Sequence, residues 1–219
     1  MAGSVDAAVL LVCVLGTSCA SSGSAPAIAS PFPPPPPAAT FPDGPRELPT
    51  YHSARLGVTV PLPDGKTWRI DDHSRPELVA THAPTRSRVL VGVLRADALV
   101  GRQQCEAMAR ERKLVPVGEM QSLEDAVEVR QETFDTRVRV TVAPGSAPGQ
   151  PVVGHVMAFG GFLRKCFVFD YATEALNAGE EEALSSRLAF ARARILGGLR
   201  VEELGVVDRE ARPSPNERR

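Results

Sequence analysis

The chain has 219 residues, enough for one domain with accessory segments, and its 43% hydrophobic content can bury a core. Twenty-five basic residues against 26 acidic ones leave a formal charge of −1. No basic excess is available for a polyanion-binding surface, which argues against nucleic acid as a partner.

At the N-terminus, residues 7–15 read Ala-Ala-Val-Leu-Leu-Val-Cys-Val-Leu. This run is shorter than the roughly 20 apolar residues that span a bilayer, and it fits the apolar region of an export signal. Gly16-Thr17-Ser18 then precede Cys19. The order resembles a bacterial lipoprotein signal, in which the cysteine is acylated and becomes the mature N-terminus. That resemblance implies Cys19 as the lipidation site and the membrane as a partner through the lipid anchor. It also implies a place in the bacterial cell envelope, at the outer membrane facing the periplasm or at the cell surface. Two features depart from the pattern: Asp6 stands where a positive charge is expected, and Leu15 lies four residues before Cys19 instead of three. A plain secretory signal and a fortuitous apolar N-terminus are the other readings. Residues 1–18 are assigned to the signal and 19–49 to the acylated cysteine and a linker. Residues 33–37 are all proline, which favours extended polyproline II and cannot build a packed core. A spacer is the plain reading, and a ligand for a proline-binding domain is the alternative.

A domain is assigned to residues 50–203. Residues 56–62 alternate as a strand, Pro63-Asp64-Gly65 supplies a turn, and Thr67-Trp68-Arg69-Ile70 returns, which predicts a hairpin. A second pair is expected at 77–82 and 88–94. The second member is apolar on both faces and so should lie centrally, covered on both sides. Asp97 is the expected N-cap of a helix over 98–113, with Val100, Ala107 and Met108 toward the core. Residues 126–132 and 137–142 are expected strands. In the latter, Val138, Val140 and Val142 alternate with Arg137, Arg139 and Thr141, giving one buried face and one wet face. Gly160-Gly161 reads as a two-residue hairpin turn between apolar strands, and this register places His155 opposite Cys166. Leu184, Leu188, Ala191, Ile195 and Leu199 then form one stripe of a long helix that stops at Gly197-Gly198. Residues 204–219 are assigned to a disordered tail. About eight strands without repeated βαβ units predict an α+β fold: a mostly antiparallel sheet with an internal helix and a long C-terminal helix packed on it.

The opening of the domain, from Tyr51 through the Pro63-Asp64-Gly65 turn to Trp68, resembles that of PsbP-like domains, and the closing amphipathic helix fits the same order. The resemblance implies an antiparallel sheet between helices and a binding or assembly role. It transfers no functional residue to a numbered position.

Three readings of Cys166 stand side by side. If export removes Cys13 and acylation uses Cys19, Cys105 and Cys166 remain to pair as a disulfide in an oxidising compartment. Closing so long a loop stabilises a fold by about 4 kcal/mol in the chain-entropy model. Alternatively both are packed free thiols, or Cys166 is a nucleophile with His155 as its base. His52, Asp71, Asp72, His73 and His82 offer metal-ligand types but no paired ligand spacing, and adjacent strand residues point to opposite faces. No metal site, cofactor or catalytic residue is assigned. The expected role is non-catalytic binding, scaffolding or assembly in the envelope, with an envelope protein as a partner. A small-molecule or metal-ion-binding domain and a Cys-His hydrolase are the alternatives.

Overall fold

The computed structural model describes residues 38–41, 47–130, 134–145 and 150–202. The signal segment with Cys13 and Cys19, the proline run and the tail lie outside the described residues. The fold is α+β, with ten strands and two α-helices among the described residues.

Seven strands form one antiparallel sheet: β3 (Trp68–Asp71), β4 (Leu78–His82), β5 (Ser87–Arg95), β6 (Gln121–Arg130), β7 (Phe134–Ala143), β8 (Val152–Phe162) and β9 (Lys165–Ala175). Their spatial order is β3-β4-β5-β9-β8-β7-β6. β1 (Thr50–Ser53) and β10 (Arg200–Val201) flank β2 (Val58–Pro61) in a separate three-stranded sheet. The two helices are α1 (Arg102–Glu111) and α2 (Glu181–Phe190), and α2 runs on into a π-helical turn over Ala191–Leu196.

Period-two alternation divides the large sheet into two buried faces. Val89, Val91, Phe167, Phe169, Tyr171, Val156, Ala158, Val138 and Val140 face the core shared with β2, α2 and its extension. Leu184, Leu188, Ala191, Ile195 and Leu199, the predicted helical stripe, all lie in that core. On the opposite face, Leu90, Leu94, Met157, Phe159, Cys166 and Val168 pack against Cys105 and Ala109 of α1. Covering both faces explains why β5, β8 and β9 read as near-continuous apolar runs.

Four expectations are corrected. The turn after β2 does not close a hairpin, because β2 and β3 belong to different sheets. A short 3₁₀ turn (Gly65–Thr67) and the Trp68 indole N–H donating to the Pro63 carbonyl at 2.6 Å swing the chain across the core. Helix α1 starts at Arg102, not Ala98, with Gly101 as N-cap and the Gln104 side chain accepting from the Gly101 N–H at 3.0 Å. The residues before it are held elsewhere: Ala96 and Val100 donate to the carbonyls of Arg164 and Leu163 at 2.8 and 2.9 Å. Within α1, Cys105 and Ala109 are buried, Met108 is partly buried and Ala107 is exposed; Val100, before the helix, is partly buried.

The fourth correction concerns Gly160-Gly161. Both glycines lie inside β8, and the turn falls at Leu163 and Arg164. Gly161 pairs with Cys166, and His155 pairs with Ala172. A β-carbon on Gly161 would stand 2.4 Å from the Val100 carbonyl oxygen and 2.8 Å from Gly101. This glycine is needed for the close approach of the chain entering α1, not for a turn.

Cys105 and Cys166 are joined as a disulfide across 61 residues of sequence, with Cα atoms 5.2 Å apart. The bond fastens the first turns of α1 to the start of β9. Met108 Sδ lies 3.7 Å from Cys166 Sγ and fills the space beside it.

Candidate functional site: a divided sheet face with an open arginine-lined cavity

Helix α1 lies over β7, β8 and β9. The same face of β3, β4 and β5 has a cavity of about 630 Å³. Its floor and walls come from Arg69, Asp71, Val79, Thr81 and Arg88, with Ser74 and Arg75 on the rim. The register explains the grouping. Arg69 pairs with Thr81 and Thr81 with Arg88, which sets three polar side chains in one row across three strands.

The rim loop is held from both sides. Asp71 Oδ1 accepts from the backbone N–H groups of His73 and Ser74 at 3.2 and 3.0 Å, and Asp71 Oδ2 accepts from the Ser74 hydroxyl. These bonds, led by the Ser74 hydroxyl, lower the Asp71 carboxyl to about 2. Asp72, in the bend just past β3, points the other way into buried surroundings. It accepts from Ser53 Oγ at 3.0 Å, Arg55 Nη2 at 2.9 Å and Tyr51 Oη at 3.3 Å. Arg55 also donates to the carbonyls of Asp72 and Pro76. The small sheet thereby fixes the loop that shapes the cavity.

Behind the cavity floor, Asp170 on β9 is 0% exposed. It accepts from Arg88 Nη2 at its Oδ2 and from His155 Nδ1 at its Oδ1, both at 3.0 Å. The two partners come from β5 and β8, so one buried carboxylate joins three neighbouring strands. Burying a charge is costly unless it is paired and hydrogen-bonded, and here both oxygens are engaged. Arg88 is thereby held at the floor, with its side chain 44% exposed. Arg69 and Arg75 have no hydrogen-bond partner among the described residues, so two further guanidinium groups border the cavity with their donors available.

The covered half of the face carries its own charge network. Glu106 of α1, buried, accepts from Arg110, Arg137 and Arg139. Asp125 on β6 accepts from Arg137 Nη2 at 2.6 Å and Nε at 2.9 Å. The Arg137 hydrogen bond holds the Asp125 carboxyl below its ordinary value, and the pairing raises Arg137. The arginine face of β7, read from sequence as a wet face, therefore meets acids of the same chain. On the opposite face Arg187 is 1% exposed and donates to the carbonyls of Thr85, Glu174 and Ala183. Burial pushes its guanidinium below its usual value.

The residues weighed as metal ligands are not brought together. His52 lies beside Thr59 and Glu202. His82 is buried, stacked on Trp68 and tilted against Phe41, with Nδ1 2.7 Å from Thr85 Oγ1. Burial lowers its basicity. No group of three or more metal-ligating side chains occurs among the described residues. Cys166 is in the disulfide and His155 bonds to Asp170, so the alternative of a Cys166 nucleophile with His155 as its base is not formed. Sequence reading also passed over the Arg88–Asp170–His155 cluster. The available signal was one acid, Asp170, set between Phe169 and Tyr171 in an apolar strand.

No family model and no curated protein matches the chain. Among solved structures, a crystal structure from Bacteroides thetaiotaomicron resembles it with a TM-score of 0.41 and 10% identity. The match covers 73% of this chain and 50% of that chain, so the chain spans about half the length of the protein it matches. Among the described residues no helix is long and apolar enough to cross a membrane.

Replacing Asp170 by Asn keeps the shape but turns an amide N–H toward Arg88 or His155. The expected loss is about 2 kcal/mol, read as a lower urea midpoint with an unchanged slope. Acid should destabilise the fold in two windows. His82 takes up protons more readily in the unfolded chain, so its contribution is full above about pH 6.5 and falls as pH drops below that value. Asp125 is depressed in the folded chain, so its contribution is full above about pH 4 and is lost as pH falls toward the folded value. Unfolding midpoints from pH 8 to 3 check both, and the upper window should vanish in His82→Phe.

Proposed function

We propose that the chain is a lipid-anchored protein of the bacterial cell envelope, facing the periplasm or the cell surface, whose domain binds an anionic group without catalysing a reaction. The cavity carries this reading: Arg69, Arg75 and Arg88 border one open space, Arg88 is held by Asp170, and Arg75 lies within electrostatic reach of the Asp71 carboxylate, itself engaged by Ser74 and His73. Guanidinium groups present planar, paired donors suited to carboxylate or phosphate. The ligand is therefore a small anion or an acidic group on an envelope protein partner.

The cellular setting rests on two supports. The apolar segment before Cys19 fits a lipoprotein signal, with residues 19–49 as the tether. The Cys105–Cys166 bond suits an oxidising compartment. A sheet with helices on both faces supports a PsbP-like reading of residues 50–203. The turn at Pro63-Asp64-Gly65 departs from it, because it joins strands of two sheets.

Two measurements test the proposal. Inorganic phosphate or citrate is added to the full-length chain at constant ionic strength and melting is followed. Ligand at ten times its Kd stabilises by about 1.4 kcal/mol, which raises Tm by about 3–6 °C. The Arg69→Gln/Arg75→Gln variant should lose that shift. No shift, or the same shift in the variant, contradicts anion binding. For the anchor, mass spectrometry of the protein from bacterial membranes should show an acylated Cys19 as the first residue; an unmodified cysteine or another N-terminus contradicts it.

A further inference from the structure

We propose that Phe41 is a latch: it holds the end of the linker on the domain and lets go when His82 takes up a proton. Of residues 38–41, only Phe41 is buried, at 6% exposed. Its ring sits among three others, with centroids 5.0 Å from Phe190, 5.4 Å from His82 and 6.2 Å from Trp68. The pocket beneath it is built without Phe41. Trp68 and His82 are paired across β3 and β4 and stack at 5.0 Å, and Phe190 ends α2.

His82 has one nitrogen satisfied and one not. Nδ1 lies 2.7 Å from Thr85 Oγ1, and the Thr85 hydroxyl donates onward to Ser87 Oγ at 2.9 Å. Thr85 therefore accepts from an Nδ1–H, which leaves a bare lone pair on Nε2. Nε2 is buried and has no hydrogen-bond partner among the described residues. A proton added there becomes a charged donor sealed away from any acceptor, which is costly. Lifting Phe41 admits water to Nε2 and removes that cost.

The charged surroundings leave burial in control. Burial lowers the basicity of His82, against an opposing pull from Asp64 in the turn after β2. Arg187 of α2 donates to the Thr85 carbonyl, and the Tyr171 hydroxyl is reached through Ser87. Arg86, in the turn between β4 and β5, is paired with Glu180. The Arg194 guanidinium lies over the far ring, 5.8 Å from the Phe190 centroid. Stacking on Trp68 persists when the latch lifts, so it favours neither state. The docked state therefore prefers the neutral ring and is most populated above about pH 6.5, the ordinary histidine value. As pH falls below that value docking weakens, and the ratio of open to docked rises about tenfold between pH 7.5 and 5.5. Opening frees the chain back to Pro49, whose carbonyl accepts from the Leu62 N–H, and adds roughly 20 Å of reach. That consequence for a tether rests on the Cys19 anchor; the latch itself does not.

The test follows hydrogen exchange at the Trp68 indole N–H in the full-length chain. Trp68 is the only tryptophan, and its N–H donates to the Pro63 carbonyl at 2.6 Å. At constant ionic strength, and corrected for the intrinsic effect of pH, its exchange should rise about tenfold from pH 7.5 to 5.5. It should also outpace the paired β5–β9 amides at both pH values, because those open only with the sheet. Phe41→Ala should exchange fast at both pH values, and His82→Gln should lose the rise. If Phe41→Ala also loses β5–β9 protection, Phe41→Leu takes its place and should still exchange faster than the unsubstituted chain at pH 7.5. The proposal is overturned if the unsubstituted chain shows no rise, or if its indole is only as exchangeable as the β5–β9 amides. It is overturned equally if the rise survives in His82→Gln, or if the Phe41 variant keeps the original protection.

Discussion

The close approach of the α1 entry to β8 is the constraint on which the rest of this structure depends. Gly161 has no side chain, so the Val100 and Gly101 backbone can lie directly on the sheet. The disulfide at the neighbouring position then fixes that contact covalently. These two features set where α1 begins and which strands it can cover. From Cys105 the helix reaches across β8 and β9 toward β7, where Glu106 meets Arg137 and Arg139. Its direction leaves the face of β3 and β4 to the cavity.

The sheet face is thus divided into a dry half and an open half, and Asp170 sits behind the boundary. Met157 pairs with Asp170 and packs under α1, while Arg88 reaches from Asp170 into the cavity. A buried carboxylate is weak support for stability in itself. Its consequence here is positional. It holds a guanidinium at the floor of a space whose rim is fixed separately by Asp71 and Asp72. Two adjacent acids serve opposite sides of one loop, which links the small sheet to the shape of the cavity.

Much of the architecture was legible in the residues. The alternation of Val138 and Val140 with arginines, the stripe from Leu184 to Leu199 and the two-sided apolar run of β5 all report burial, and the structure buries them accordingly. The failures share a cause. Gly160-Gly161 carries a strong local turn signal, but the steric reason for Gly161 is a segment 60 residues earlier, which periodicity along β8 cannot reveal. Asp97 is a good cap by type, yet its segment bonds to the β8–β9 turn, so tertiary contact outweighs local preference. The cavity was illegible for a further reason. Arg69, Thr81 and Arg88 are unremarkable in their own strands and become neighbours only through the register of three strands.

The claim that the disulfide and Gly161 together position α1 has a direct measurement: amide hydrogen exchange with residue resolution, before and after reduction of Cys105–Cys166. The Ala96 and Val100 amides report on the α1 entry, and the paired amides of β8 and β9 report on the sheet. Reduction should sharply lower protection at Ala96 and Val100 and leave the β8–β9 amides protected. Unchanged protection at Ala96 and Val100, or loss across the whole sheet at once, would contradict the account.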